Sequence, residues 1–161
     1  MKIDDQELFE KAKECALRYL GYRARTRKEM INKLTDYPDE VTTRVLAMLE
    51  EYRYVDDYTF AEDYVKSRVR NKGFGKFRLE RELRDKGVES DIIETVLSQL
   101  DYDEVEEATQ KLIRKISGIL TDKDKKRYFD YLLRQGFSYD VIEQAFKRYE
   151  DHVGVVNHER L

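Results

Sequence analysis

The chain has 161 residues, a length that suits one compact domain or a few small helical units, and no stretch approaches the roughly 18 apolar residues a membrane-spanning helix needs. Charged residues make up 40% of it, yet Lys+Arg 31 against Asp+Glu 34 leave a net charge of only −3, so any electrostatic role depends on how the charges are distributed. No basic segment followed by an apolar run marks the N-terminus. The single Cys15 has no internal disulfide partner, and a soluble protein of the reducing cytoplasm is expected.

The pattern is helical almost throughout, because proline occurs once, at Pro38, glycine is scarce, and Lys, Arg, Glu and Leu dominate. No run alternates with period two for long enough to make a strand. In chain order the spacing predicts helices over residues 5–21, 27–35, 38–52, 57–71, 75–86, 89–100, 103–118, 122–135 and 138–150. Cys15 falls with Ala12, Ala16 and Tyr19 on one face of the first, and reads as an inert, packed thiol. Thr26 followed by Glu29 forms a capping box, Thr121 with Asp124 is a near relative, and Pro38 with Asp39 and Glu40 suits a first helical turn. Gly87 and Gly136 close their helices in the left-handed conformation, and the apolar Val88 and Phe137 fold back onto the turn they leave. Asp91 and Asp140 follow at the next helix starts, where negative charge is favoured.

A repeat of about 49 residues underlies these elements. It places Leu34, Leu83 and Leu132 in register, Gly87 over Gly136, and Val88 over Phe137. Ile92, Ile93, Val96, Leu97 and Leu100 fall on Val141, Ile142, Ala145, Phe146 and Tyr149, and with a connection two residues shorter Val41, Val45, Leu46 and Leu49 join them. The fold class expected is therefore all-α, with three tandem three-helix repeats and about nine helices. The repeats span residues 1–53, 54–101 and 102–150, and a polar, disordered tail occupies 151–161. A lone helix of this kind cannot bury its apolar stripe, so the units are expected to stack into an elongated, curved array. Tyr19, Tyr22, Tyr52, Tyr54, Tyr58 and Tyr64 gather around the first unit and its junction with the second. Two readings fit them: rings filling core edges with wet hydroxyls, or a contact surface for a partner.

The charge is strongly segregated. Residues 64–86 carry Lys66, Arg68, Arg70, Lys72, Lys76, Arg78, Arg81, Arg84 and Lys86 against only Glu80, Glu82 and Asp85. Residues 87–110 contain no Lys or Arg but eight acids: Glu89, Asp91, Glu94, Asp101, Asp103, Glu104, Glu106 and Glu107. A second basic cluster, Arg23, Arg25, Arg27 and Lys28 with Lys33, occupies the first unit's equivalent of the basic run. Such a field steers association with a polyanion or an acidic protein face, and Arg matches phosphate and carboxylate bidentately. A solvated helix surface is the plain alternative. Gly73 and Gly75 interrupt helix formation between two basic arms and are read as letting backbone amides approach a partner. Partner-binding candidates are therefore Lys66, Arg68, Arg70, Lys72, Gly73, Gly75, Lys76, Arg78, Arg81 and Arg84, with Arg23, Arg25, Arg27 and Lys28 as a secondary cluster.

These residues carry a resemblance. Tyr54-Val55-Asp56-Asp57, Phe60-Ala61, Tyr64-Val65, Arg68, Lys72-Gly73, Gly75, Glu82-Leu83 and Lys86-Gly87-Val88 occur in the order of the pattern of the RecX family, regulators of the bacterial recombinase RecA. The first and third units fit that family more loosely, and the resemblance covers roughly residues 12–150. It implies a regulatory protein that lies in the groove of the RecA filament on single-stranded DNA. There it would restrain recombinase and coprotease activity by contact rather than by chemistry. A monomer is expected. Arg53 stands where the family usually has Gly, so the turn into the second unit is made by a residue with a Cβ. Lys76 stands where proline is common.

Catalysis finds no support, because the carboxylates are scattered over helix surfaces and the only histidines, His152 and His158, lie in the expected tail. Those two with Glu159 would hold a metal weakly at best. No cofactor and no small-molecule substrate is expected. A general nucleic-acid-binding helical repeat without a RecA partner is the nearest competing reading.

Overall fold

The computed structural model describes residues 4–158, with side chains through residue 155. Among the described residues there are nine helices and no strand: α1 (Asp5–Leu20), α2 (Arg27–Lys33), α3 (Asp39–Glu51), α4 (Asp57–Lys72), α5 (Lys76–Asp85), α6 (Ser90–Gln99), α7 (Glu104–Lys115), α8 (Asp122–Gln135) and α9 (Tyr139–His158). By packing, the chain divides into two compact units. One comprises residues up to 65 together with Glu82–Ser98, the other Lys66–Arg81 together with residues from 99 onward, so the middle three-helix repeat is shared between them.

In the first unit α1 and α2 both pack on α3. Ala12 and Ala16, one turn apart on α1, are fully buried, and Val41, Val45, Leu46 and Leu49 give α3 its matching stripe. Thr26 starts α2 with the capping box the sequence predicts: its Oγ1 accepts from the Glu29 N–H at 3.1 Å, and its own N–H donates to the Glu29 carboxylate at 3.0 Å. Pro38 sits one position earlier than expected, as the N-cap of α3. In the second unit α7 and α8 both pack on α9, around Ala108, Leu112, Leu132, Phe137, Ile142, Ala145 and Tyr149.

The repeat registration holds at its anchor positions, since Leu34, Leu83 and Leu132 are all fully buried. Gly87 and Gly136 adopt φ of 82° and 95°. Behind each, two backbone bonds close the helix end: Val88 N–H to Leu83 C=O at 3.1 Å and Gly87 N–H to Arg84 C=O at 2.9 Å, with Phe137 to Leu132 and Gly136 to Leu133 as their counterparts.

The same junction occurs once in each unit. In the first, the fully buried Thr26 Oγ1 donates to the carbonyl of Lys86, just before Gly87. In the second, the N–H of Gly75 donates to the carbonyl of Gln135, just before Gly136, at 2.9 Å. Thr26 and Gly75 are 49 residues apart, as are Lys86 and Gln135. Each unit is thus built where the start of one repeat's second helix docks on the left-handed turn that ends the next repeat's second helix.

The C-terminal boundary differs from expectation. α9 does not stop at residue 150 but continues to His158, because Val153, one turn beyond the buried Tyr149, still packs on the core. The expected tail is therefore helical through 158, and residues 159–161 lie outside the described residues. Arg53 takes φ +55°, alone among the described non-glycine residues in being positive, and the bonds Arg53 N–H to Glu50 C=O and Tyr54 N–H to Leu49 C=O complete a left-handed stop for α3.

Candidate partner-binding surface

The ten candidates of the basic run separate into two kinds. Gly73 and Gly75 are buried, and their N–H groups go to carbonyls of their own unit: Gly73 to Val69 and Arg68, Gly75 to Gln135. A Cβ on Gly75 would meet the backbone of Gly136, and one on Gly73, at φ 58°, would meet the Glu107 side chain. These glycines permit close backbone approach inside the fold. Arg78 is half-buried, with its guanidinium 3.6 Å from the centre of the Phe74 ring and its Nη1 donating to Arg134 C=O at 3.4 Å. Arg68 is half-buried.

Lys76, where the family favours proline, is half-buried and uses the N–H that proline lacks, donating to Glu104 Oε1 at 2.8 Å. The other kind is exposed: Lys66, Arg70, Lys72, Arg81 and Arg84. Lys66 and Arg70 stand one turn apart on α4, Arg81 and Arg84 one turn apart on α5. Among the described residues no ion pair engages Arg70, Lys72 or Arg81. Sequence reasoning missed Phe77, 61% exposed and one turn before Arg81. Its signal was an aromatic in a run of charges.

The secondary cluster is largely absorbed by its own unit. Arg23 makes a bidentate pair with Glu29 at 2.7 and 3.1 Å, and Arg27 pairs with Glu50 at 2.7 Å while its N–H meets Asp57 Oδ1 at 2.8 Å. Arg25 lies over the Tyr19 ring, 3.7 Å from its centre. Lys28 runs its stem along Gly87. Burial opposes ionisation of Glu29, but the bonds from Arg23 and the Thr26 N–H and the charge of Lys86 outweigh it and hold the carboxyl below its ordinary range.

Much of the acidic segment is also used internally. Asp103 Oδ1 caps α7 by accepting from the Glu106 N–H at 2.9 Å, Glu106 reaches Arg148 at 3.5 Å, and Glu107 lies 3.9 Å from both Lys111 and Arg114. Lys111, in sequence one more surface charge, is 8% exposed and donates its Nζ to Lys72 C=O at 2.8 Å, capping the end of α4. Burial lowers its pKa. Its place between Ala108 and Leu112 on the apolar face of α7 was the available clue. Among the described residues no group of three or more His, Cys, Asp or Glu is placed to hold a metal, and no helix is long and apolar enough to cross a membrane. His152 is exposed on α9, and Glu159 lies outside the described residues.

Comparison with known proteins agrees with this architecture. Family models for the first, second and third three-helix domains of RecX match residues 12–49, 56–97 and 99–146. The chain is 39% identical to the regulatory protein RecX of Mycolicibacterium smegmatis over 147 residues, covering 83% of this chain and 78% of that one. It is 36% identical to the regulatory protein RecX of Bacillus pumilus over 142 residues, covering 84% of this chain but spanning only 54% of that longer relative. The crystal structure of RecX from Lactobacillus salivarius superposes with a TM-score of 0.80 at 26% identity, over 90% of this chain and 98% of that one. By these matches, and by three helical repeats in the same order, the chain belongs to the RecX family.

Proposed function

We propose that this chain regulates a RecA-type recombinase in the cytoplasm, binding its filament on single-stranded DNA and restraining recombination and coprotease activity by occupancy rather than catalysis. Membership of a family of regulatory proteins supports a regulator. The observation that carries the surface is the set Arg70, Lys72 and Arg81, exposed and without ion pairs among the described residues, with the exposed Phe77 one turn from Arg81 on α5. Cations that no acid among the described residues neutralises are available to filament carboxylates or DNA phosphates, and the exposed ring one turn from Arg81 supplies an apolar anchor. The buried Gly73 and Gly75 and the ring-stacked Arg78 position this surface without belonging to it.

The test is to titrate the protein into the cognate RecA during DNA-dependent ATP hydrolysis, beside its binding to bare single-stranded DNA. The proposal expects inhibition well below the concentration needed to coat free DNA. Binding of bare DNA alone, with a log–log salt slope near −0.7 for each neutralised phosphate and no effect on RecA at lower concentrations, would favour the general nucleic-acid-binding reading instead.

A further inference from the structure

A groove of about 490 Å³ opens on the first unit, lined by the rings of Tyr19, Tyr22 and Tyr37 and the side chains of Lys11, Arg18 and Lys33, with Cys15 and Glu14 between them. None of its lining residues belongs to the basic run of α4 and α5, and its volume is within the range of small-ligand sites. Two of its three cations are already neutralised: Lys11 pairs with Glu7 at 2.6 Å and Arg18 with Glu14 at 2.8 Å. Lys33 forms no ion pair among the described residues, and its Nζ stands 5.4 Å from the centre of the Tyr19 ring. The opposite demand, an apolar surface left in water, is met by Tyr22, 82% exposed.

Among the lining residues, one cation without an ion pair stands with three tyrosines, which matches a ligand that brings one negative charge and one flat π face. We propose that this groove seats one nucleotide of a single-stranded nucleic acid, with the base stacked on Tyr22 and the phosphate held by Lys33. A run of carboxylates on an acidic peptide would ask for several free cations and would leave the rings uncovered, so the composition favours the nucleotide. Stacking on aromatic rings does not discriminate among bases, so the site would hold strand without reading sequence. The inference needs no recombinase and stands or falls separately from the function proposed above.

Cys15 lines the groove and is the chain's one cysteine, which makes it a reporter. The experiment measures the rate of Cys15 alkylation by iodoacetamide at low salt as a short oligothymidylate is added, with an abasic strand of equal length and polyglutamate as parallel ligands. The proposal expects oligothymidylate to slow alkylation several-fold and the other two to leave it unchanged. In Tyr22→Ala, a change at an exposed ring checked by an unaltered melting curve, the protection midpoint is expected to rise about 5- to 150-fold, the range a lost base–aromatic stack gives. Lys33→Gln is expected to raise it as well and to flatten its salt dependence. Absence of protection, equal protection by the abasic strand or by polyglutamate, or an unmoved midpoint in Tyr22→Ala would each overturn the assignment.

Discussion

Replacing Gly75 by Ala tests whether the glycine pair serves the fold or a partner. Gly75 and Gly136 approach so closely that a Cβ on Gly75 would fall on the carbonyl of Gly136 and the N–H of Phe137, both backbone groups that cannot rotate aside. Accommodating it means prying apart the junction held by Gly75 N–H to Gln135 C=O at 2.9 Å and Phe77 N–H to Gly136 C=O at 3.1 Å. Overpacking of this kind costs about 1–3 kcal/mol, and each buried backbone group left unpaired about 1–3 kcal/mol more, against which the stiffer unfolded chain returns under about 1 kcal/mol. A net loss of at least about 2 kcal/mol results, read by thermal melting as a fall in Tm of at least about 4 °C for a chain of this size. Gly118→Ala is the control, because at φ +83° it meets no neighbour within 4 Å and incurs only the left-handed backbone cost of about 1–2 kcal/mol. If Gly75→Ala melted with the parent protein while partner binding disappeared, the loop would be a recognition element and the junction argument would be wrong.

Leu83→Ala empties the shared anchor position of the repeat and is expected to cost about 2–5 kcal/mol in chemical denaturation; a loss under about half a kcal/mol would mean the wrong face had been taken as buried. Arg53→Gly removes a Cβ from a φ of +55° and is expected to raise stability by about 1 kcal/mol, with a fall in Tm counting against the strain assigned to that turn. The buried hydroxyl of Tyr102 has no hydrogen-bond partner among the described residues, so Tyr102→Phe is expected to stabilise by about 1 kcal/mol. Burial, with Glu107 and Glu104 nearby, raises the pKa of that hydroxyl above its ordinary value of 10.0. Below pH 10 the folded and unfolded chains hold this proton alike; above it the unfolded chain releases the proton first, and stability falls. The parent's stability is expected to drop more steeply than the variant's on titration above pH 10, and parallel curves would contradict the burial.

The helices and their stops were legible because local chemistry fixes them: Thr26 with Glu29, Thr121 with Asp124, and the left-handed Gly87 and Gly136 act within a few residues of themselves. The apolar register was legible for the same reason, since Leu34, Leu83 and Leu132 recur at one spacing. What the chain hid was long-range. Gly73 and Gly75 look like an open loop offering its amides to a partner until Glu107 and the turn at Gly136 are seen against them, and Arg78 looks like a free cation until Phe74 lies beneath it. Lys111 reads as a surface charge, yet its ammonium is spent on the carbonyl of Lys72, 39 residues away. The helix beyond residue 150 is hidden in the sequence because Asp151, His152 and Gly154 read as a polar, glycine-interrupted end, yet Val153 between them packs on the core. Charge counting finds where cations are dense; only packing decides which of them remain available.

That availability is the centre of the account, and DNA strand exchange by the cognate RecA measures it most directly. The parent protein is compared with a variant carrying Arg70→Glu, Lys72→Glu and Arg81→Glu, exposed positions whose reversal leaves the core and the glycine junction untouched. The account predicts that the parent suppresses exchange and that the variant, melting at the same temperature, does not. Equal suppression by both proteins, or none by the parent, would contradict it.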